Sequence, residues 1–175
     1  MFDVISIGSA TVDILVKSAA LKTSRGRIAV DLGTKNEIDH SLVCSGGGAT
    51  NSAVAFARLG LKSACLSLLG QDPLSSFIIN DLKTNSVSTN FLIRPDKEAT
   101  DFSIVLVNSD GARSILVNRG STRLESKQIP WSRLDSSWFY ITSLEGNLTL
   151  LEQLIGYAQE NSIKVALNPG SREIA

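Results

Sequence analysis

The sequence has no surplus of charge of either sign. Seventeen lysines and arginines face seventeen aspartates and glutamates, which removes the general electrostatic reason to expect nucleic acid or an anionic membrane surface as a partner. The single histidine, His40, has no cysteine or carboxylate at metal-ligand spacing around it, so a surface or hinge position is expected for it. The two cysteines, Cys44 and Cys65, stand among apolar and small residues and read as reduced, partly buried thiols, not as a disulfide framework. No apolar run approaches the roughly 18 residues needed to span a bilayer. Asp3 stands where a secretory leader would carry positive charge, so the chain reads as cytoplasmic, and the sequon Asn147-Leu148-Thr149 is incidental in that setting. The glycines do not follow G-x-G-x-x-G and no lysine follows them, which argues against a dinucleotide fingerprint and a Walker phosphate loop.

What is present begins with 175 residues at 43% apolar content, enough for one well-filled core. The chain is organised around Gly46-Gly47-Gly48-Ala49-Thr50-Asn51 and the small-residue run after it, ending at Gly60. Three glycines make neither a good helix nor a good strand, so they mark a sharp turn or a close approach. A helix opening behind them leaves N–H groups for something polar or anionic.

Before that junction, residues 2–7 read as a strand, broken by Gly8-Ser9-Ala10 and resumed through Val12-Asp13-Ile14. An acid inside an apolar run needs a hydrogen-bonding partner or a ligand. Residues 17–43 are mixed and polar, with a turn at Arg25-Gly26-Arg27, and suggest small half-exposed strands or a flap. Residues 64–70 read as a core strand, completing a right-handed βαβ unit. Asp72-Pro73 opens the next helix. Phe91-Leu92-Ile93 and residues 102–107 read as antiparallel strands, the latter turning through Asn108-Ser109-Asp110-Gly111 into Ser114-Ile115-Leu116-Val117. Residues 121–133 read as loop and short helix anchored by Trp131. A core strand at 138–142, a helix at 148–161 and a strand at 163–167 stopping at Asn168-Pro169-Gly170 complete the pattern. A sheet ended there exposes an unfinished face or edge unless a partner covers it.

Asp13, Asn51, Glu145 and Asn168 each border an inferred core strand or the glycine turn, where open α/β sheets place their ligands. Carboxylates accept hydrogen bonds, amides donate and accept them, and glycines let a ligand approach the main chain. A polyhydroxylated small molecule suits such a set; turn or cap roles for Asp13 and Glu145 are the plainer alternative.

With these residues in view, the chain resembles the N-terminal half of the ribokinase-like, or PfkB-type, carbohydrate and nucleoside kinases. The resemblance runs from Gly8-Ser9-Ala10-Thr11-Val12-Asp13 through Gly46-Gly47-Gly48-Ala49-Thr50-Asn51, with Gly60 and Gly70 downstream, to Leu144-Glu145 and Asn168-Pro169. It implies a Rossmann-like three-layer α/β fold, truncated, with a small β-sheet lid. Residues 1–16, 44–90 and 118–175 would form the core, and 17–43 and 91–117 the lid, which in this family often mediates homodimers. It further implies that Asp13 and Asn51 hold substrate hydroxyls in a pocket shaped by Gly46, Gly47 and Gly48. Glu145 would be an acid near the substrate, the metal and the transferred phosphoryl group, and Asn168 would lie near the phosphates of ATP. Arg119, in Asn118-Arg119-Gly120-Ser121, resembles an arginine that some members use for substrate. ATP and Mg2+ are the implied cofactors.

Two departures matter. Pro73-Leu74-Ser75 stands where many members have Phe-Gly, which bears on subfamily. The Gly-Ala-Gly-Asp motif of the family's second half, with its base aspartate and anion hole, does not occur in the 175 residues. The resemblance therefore implies the acceptor-binding part of an ATP-dependent sugar kinase, inactive as this chain alone and needing a missing C-terminal half. A nucleoside kinase and a non-catalytic sugar-binding or protein-interaction module are the alternatives.

Overall fold

A computed structural model of the chain describes residues 1–96, 98–120 and 123–174. In chain order the elements are β1 (Phe2–Ile7), β2 (Thr11–Lys17), β3 (Lys22–Ser24), β4 (Arg27–Ala29), β5 (His40–Gly46), α1 (Gly48–Arg58), β6 (Ser63–Leu68) and α2 (Pro73–Thr84). They continue with β7 (Ser88–Ile93), β8 (Phe102–Val107), β9 (Arg113–Asn118), β10 (Ser136–Ile141), α3 (Leu148–Glu160), β11 (Lys164–Leu167) and the single turn α4 (Ser171–Ile174). Short 3-10 turns at Ser126–Gln128 and Trp131–Arg133 precede β10. Trp131 anchors this stretch as expected: its Nε1–H donates to Ser126 O at 2.9 Å, and Tyr157 Oη donates to Trp131 O at 2.6 Å. Ser121 and Thr122, within the same expected loop, lie outside the described residues.

Five strands form a parallel sheet in the order β11-β10-β1-β6-β7. β1 is central and its last four residues are buried, as a parallel strand covered on both faces requires. α3 packs Leu150, Leu154 and Ala158 against Ile5, Phe139 and Ile141. Ala49 and Ala53 of α1, with Ile78 and Leu82 of α2, fill a second cluster around Cys65 and Leu69. Small residues along α1 let its axis lie close to the sheet. The result is the three-layer α/β arrangement. Towards β10 and β11 the sheet carries an apolar hollow of about 500 Å3 between Phe56, Leu61, Trp138, Tyr140 and Ala166.

The second sheet has the order β5-β2-β8-β9. β2 runs antiparallel to β5 and parallel to β8, and β8 returns into β9 through the turn at Asn108 to Gly111. β9 is exposed along its length, and Leu42, Val43, Ile115, Leu116 and Val117 present apolar surface to solvent. The separate ribbon β3–β4 turns at Arg25 and Gly26, both at positive φ.

The pairing corrects two boundaries of the expected division. Residues 11–16, assigned to the core, belong to β2 and bond to the second sheet, while the buried Val12 packs with Ala49 and Ala53 beneath it. Phe91-Leu92-Ile93, read as antiparallel lid, is the end of β7 and pairs parallel with β6. Three apolar residues after a polar start carry too little pattern to tell the two kinds of strand apart.

Asp72 shows how the helices are fixed. Its carboxylate accepts from Ser75 N at 2.9 Å as the cap of α2, and from Thr100 N at 2.7 Å, which ties the approach to β8 to that helix. Burial pushes its carboxyl up, but the bonds from Thr100, Ser75 and Leu74 outweigh this and hold it below the usual aspartate range. Asp72→Ala is expected to cost about 1–2 kcal/mol in urea unfolding at neutral pH. Because the folded-state value is depressed, the difference between the two proteins is full above pH ~4 and closes as pH falls through the folded value.

Candidate functional site

The strand order makes a crevice. From β1 the chain proceeds through β6 to β7 on one side, and through β10 to β11 on the other. The helices that follow, α1 and α3, lie on opposite faces. The loops leaving β1 and β10 therefore part at the C-terminal edge, where open sheets of this kind bind ligands. Gly8, Ser9 and Ala10 face Ser143, Leu144 and Glu145 across a cavity of about 50 Å3, room for a few waters in this conformation.

The glycine turn closes onto one side of this crevice. Gly46 ends β5 opposite Thr11, and a methyl placed on it would fall onto Asp13 Oδ2, so glycine leaves the carboxylate its space. Thr11 Oγ1 donates to Asp13 Oδ1 at 3.4 Å. Gly47 has φ +96° and would set a β-carbon 2.5 Å from Ser9 O. Gly48 lies against Thr142, and its N–H donates to Ser9 Oγ at 3.1 Å, while Ala49 N–H donates to Ser9 O at 3.0 Å. Two amides at the start of α1, expected to await a ligand, are thus taken up by Ser9. Thr50 Oγ1 donates back to Gly46 O and Gly47 O.

Asn51 is exposed on the first turn of α1 and lines a different cavity of about 430 Å3, together with Cys44, Ser45, Arg58, Phe77 and Asp81. Cys44, on the wall of this cavity, stands opposite Asp13 in the β5–β2 pairing. Burial, then the charges of Asp13 and Asp81, push the Cys44 thiol up. Ser45 Oγ donates to Asp81 Oδ2 at 2.5 Å across this cavity. Cys65 is buried in the core, where burial pushes its thiol up to about 12, and both cysteines are free.

Arg119 and Glu145, singled out separately in the sequence, form an ion pair. Glu145 sits at φ +61° in the turn after β10, with Oε1 buried towards the guanidinium. Arg119, just beyond β9, also acts on Asp101, a crevice residue that sequence reasoning passed over. Burial raises the Asp101 carboxyl; the 2.6 Å bond from Gly120 N–H and the charge of Arg119 pull it down, the charge of Glu98 pulls it up, and the net shift is upward. One cation thus serves carboxylates from both sheets at their seam.

Asn168 is exposed beyond β11, with its N–H donating to Ile141 O at 2.8 Å. Its loop adjoins the turn carrying Glu145 through Glu173, which the sequence did not mark. That carboxylate receives the N–H groups of Gly146, Gly170 and Leu144. No group of three or more His, Cys, Asp or Glu side chains able to hold a metal occurs among the described residues. Glu145 faces a guanidinium, so as placed it does not fit a metal-ligand role.

A model of the "pfkB family carbohydrate kinase" group matches residues 1–172. An aminoimidazole riboside kinase of Salmonella typhimurium is 33% identical over 124 residues, covering 68% of this chain and 38% of that protein. A fructokinase of Vibrio alginolyticus is 31% identical over 121 residues, covering 68% and 39%. The structure of Arabidopsis thaliana ribokinase complexed with ribose and ATP superposes with a TM-score of 0.77 at 18% identity, covering 95% of this chain and 53% of that one; at that identity the likeness speaks for the fold. The chain spans about two fifths of these curated relatives and about half of the solved one.

The close approach at Gly47 gives a direct test of the turn. Gly47→Ala places a methyl against Ser9 O in a backbone conformation that disfavours it, and is expected to destabilise the chain by at least ~2 kcal/mol in denaturant unfolding. Gly111→Ala, also at positive φ but with nothing within 4 Å of its added methyl, is expected to cost only the backbone part, about 1–2 kcal/mol.

Proposed function

Because the chain belongs to the pfkB family of carbohydrate kinases, we propose that it supplies the acceptor-binding side of an ATP-dependent sugar kinase that phosphorylates a hydroxymethyl group of a small carbohydrate. The observation that carries this reading is the Asp13 carboxylate, whose space Gly46 leaves free in the glycine turn that closes onto one side of the crevice. A carboxylate fixed in this way accepts hydrogen bonds from sugar hydroxyls, and Asn51, one turn into α1, can donate or accept another. Gly46, Gly47 and Gly48 bring main chain between the Asn51 cavity and the crevice, and at the crevice the Arg119–Glu145 pair supplies a further donor and acceptor for a substrate that reaches both.

The second sheet acts as the lid. The crevice holds about 50 Å3 as it stands, so a sugar enters only if the loops on its two sides part, and lid closure over the bound sugar then keeps water from the phosphoryl group. The exposed apolar residues on β5 and β9 suit a homodimer contact through that lid. ATP with Mg2+ is the phosphoryl donor in this reading, and Asn168 at the end of β11 is the candidate for its phosphates. Glu145 was the metal candidate; its pairing with Arg119 speaks against it, and no step is drawn through the ion. Positioning and charge stabilisation dominate phosphoryl transfer, so a chain without the base aspartate binds acceptor and does not turn it over. Sequence of the kind the relatives carry beyond this length would supply that base. No helix among the described residues is long and apolar enough to cross a membrane.

A nucleoside acceptor is the second reading. Phe77 is 39% exposed on the wall of the 430 Å3 cavity beside Asn51, where a ring is available to stack on a base.

Thermal-shift screening of ribose, fructose, sugar acids and nucleosides against the chain tests both readings. A sugar is expected to raise the melting temperature, and Asp13→Ala to weaken its affinity about 10- to 100-fold with folding intact. A response confined to nucleosides moves the assignment to the second reading, and no response to either class sinks the acceptor site. With ATP added, the chain is expected to release no ADP above an Asp13→Ala control; sugar-dependent ADP release above that control defeats the claim of inactivity.

A further inference from the structure

A single carboxylate gathers the C-terminal edge of the sheet around the candidate crevice. Glu173, in α4, accepts hydrogen bonds from Gly146 N at 2.7 Å, Gly170 N at 2.8 Å and Leu144 N at 2.9 Å, and Ser143 Oγ lies 3.1 Å from both of its oxygens. The donors come from the turn after β10 and the turn after β11, so one side chain locks two loops that no backbone ladder joins. Gly170 makes room for it, since a methyl there would lie 2.8 Å from Glu173 Oε2 and 2.6 Å from Ser143 Oγ.

Glu145 is the residue this arrangement constrains. It is not glycine, yet it holds φ +61°, a conformation that costs about 1–2 kcal/mol for an L side chain. The amides on either side of it, Leu144 and Gly146, both donate to Glu173 Oε1, and its own N–H donates to Ser143 Oγ at 3.2 Å. Charge-assisted bonds of this kind are about twice as strong as neutral ones, enough to offset the strain. We propose that Glu173 is a positioning residue for Glu145, its carboxylate clamping the turn so that the Glu145 carboxylate stays on Arg119 at the rim of the crevice.

The charge state of Glu173 agrees with the geometry. Burial raises its carboxyl, but the bonds from Gly146, Ser143, Leu144 and Gly170 outweigh this and keep it below the usual glutamate range. An ionised carboxylate offers only acceptors to these converging donors, whereas an amide in the same place turns an NH2 group towards an N–H.

The test compares Glu173→Gln with wild type by NMR on the chain, reading the backbone amides of Leu144, Gly146 and Gly170 together with the Arg119 Nε–H. The expected result is displacement of the three amides, hydrogen-exchange protection of Leu144 and Gly146 reduced ~10-fold, and an Arg119 signal moved towards its position in Glu145→Gln. Amides in β1 and β6 stay in place. If the three amides move while Arg119 keeps its wild-type signal, or if none of them moves, the clamp is overturned. Should Glu173→Gln fail to fold, Glu173→Asp, which keeps the charge and shortens the reach, is read by the same signals and the same criteria.

That Glu145 touches substrate rests on the sugar-kinase reading, and sugar titration separates the two claims. Glu173→Gln is expected to lose as much sugar affinity as Glu145→Gln. If Glu145→Gln leaves affinity unchanged, Glu145 is no substrate ligand, while the Arg119 signal still decides whether Glu173 positions it.

Discussion

The close approach of the chain leaving β1 to the glycine turn at the start of α1 is the constraint on which the site depends. Ser9 uses its hydroxyl and its carbonyl to receive Gly48 and Ala49, and Gly47 lies so near that any β-carbon would strike Ser9 O. Buried amides at a helix start must find acceptors, and here the acceptors are supplied by the break between β1 and β2. That break is also where the chain passes from one sheet to the other. The same contact thereby fixes where α1 begins, how the second sheet is hinged to the first, and where Asp13 stands relative to Gly46. Altering it changes all three together.

A second level of order is electrostatic and lies along the seam between the sheets. Arg119 follows the last strand of the four-stranded sheet, and its partner Glu145 follows a strand of the five-stranded one, with Asp101 beside them at the start of β8. The pair is partly exposed, at 46% and 21% for the two side chains, so solvent screens it and its worth to stability is modest. Its consequence is geometric. Any movement of one sheet against the other changes the distance between the Arg119 guanidinium and the Glu145 carboxylate, so the seam ties the charge pattern of the crevice to the position of the four-stranded sheet.

Much of the fold was legible wherever a local signal sufficed. Asp72-Pro73 announced α2, Asn108 to Gly111 announced the β8–β9 turn, and the small-residue run after the glycines announced α1. The sheet to which a strand belongs was harder to read. Val12-Asp13-Ile14-Leu15-Val16 has the apolar run of a buried core strand, yet its partners are β5 and β8, joined over separations that pattern does not encode. The site divides in the same way. Asp13, the glycines and Glu145 were visible as unusual residues in informative places and Arg119 through the family resemblance alone, but the Arg119–Glu145 pairing arises only when two layers are brought together. Glu173 was invisible because its partners are backbone amides, which every sequence possesses and none displays. Asp101 stands before its strand and not after it as Glu145 does, and it lies in a stretch read as lid, so nothing in the sequence marked it.

These features explain how the chain builds a crevice from its own elements. The reversal of strand order falls between β1 and β10, both within the chain, so the crevice does not depend on strands beyond β11. Its walls are fixed by contacts between segments far apart in sequence: Ser9 with α1, Thr142 Oγ1 with Ile7 O at 3.2 Å, and Ser67 Oγ with Gly8 O at 2.6 Å. Each of these bonds joins the exit of one parallel strand to its neighbour or to the helix above it. Recognition of a ligand requires groups held in place before it arrives, and these bonds hold the strand exits in that way. Phosphoryl transfer makes a further demand, donors aimed at the charge that develops during the reaction. Five amides at this edge are already committed, those of Gly48 and Ala49 to Ser9 at the start of α1 and those of Leu144, Gly146 and Gly170 to Glu173 at the turns after β10 and β11. The internal acceptors that make this edge rigid thus take up amides that would otherwise face the charge of a bound ligand.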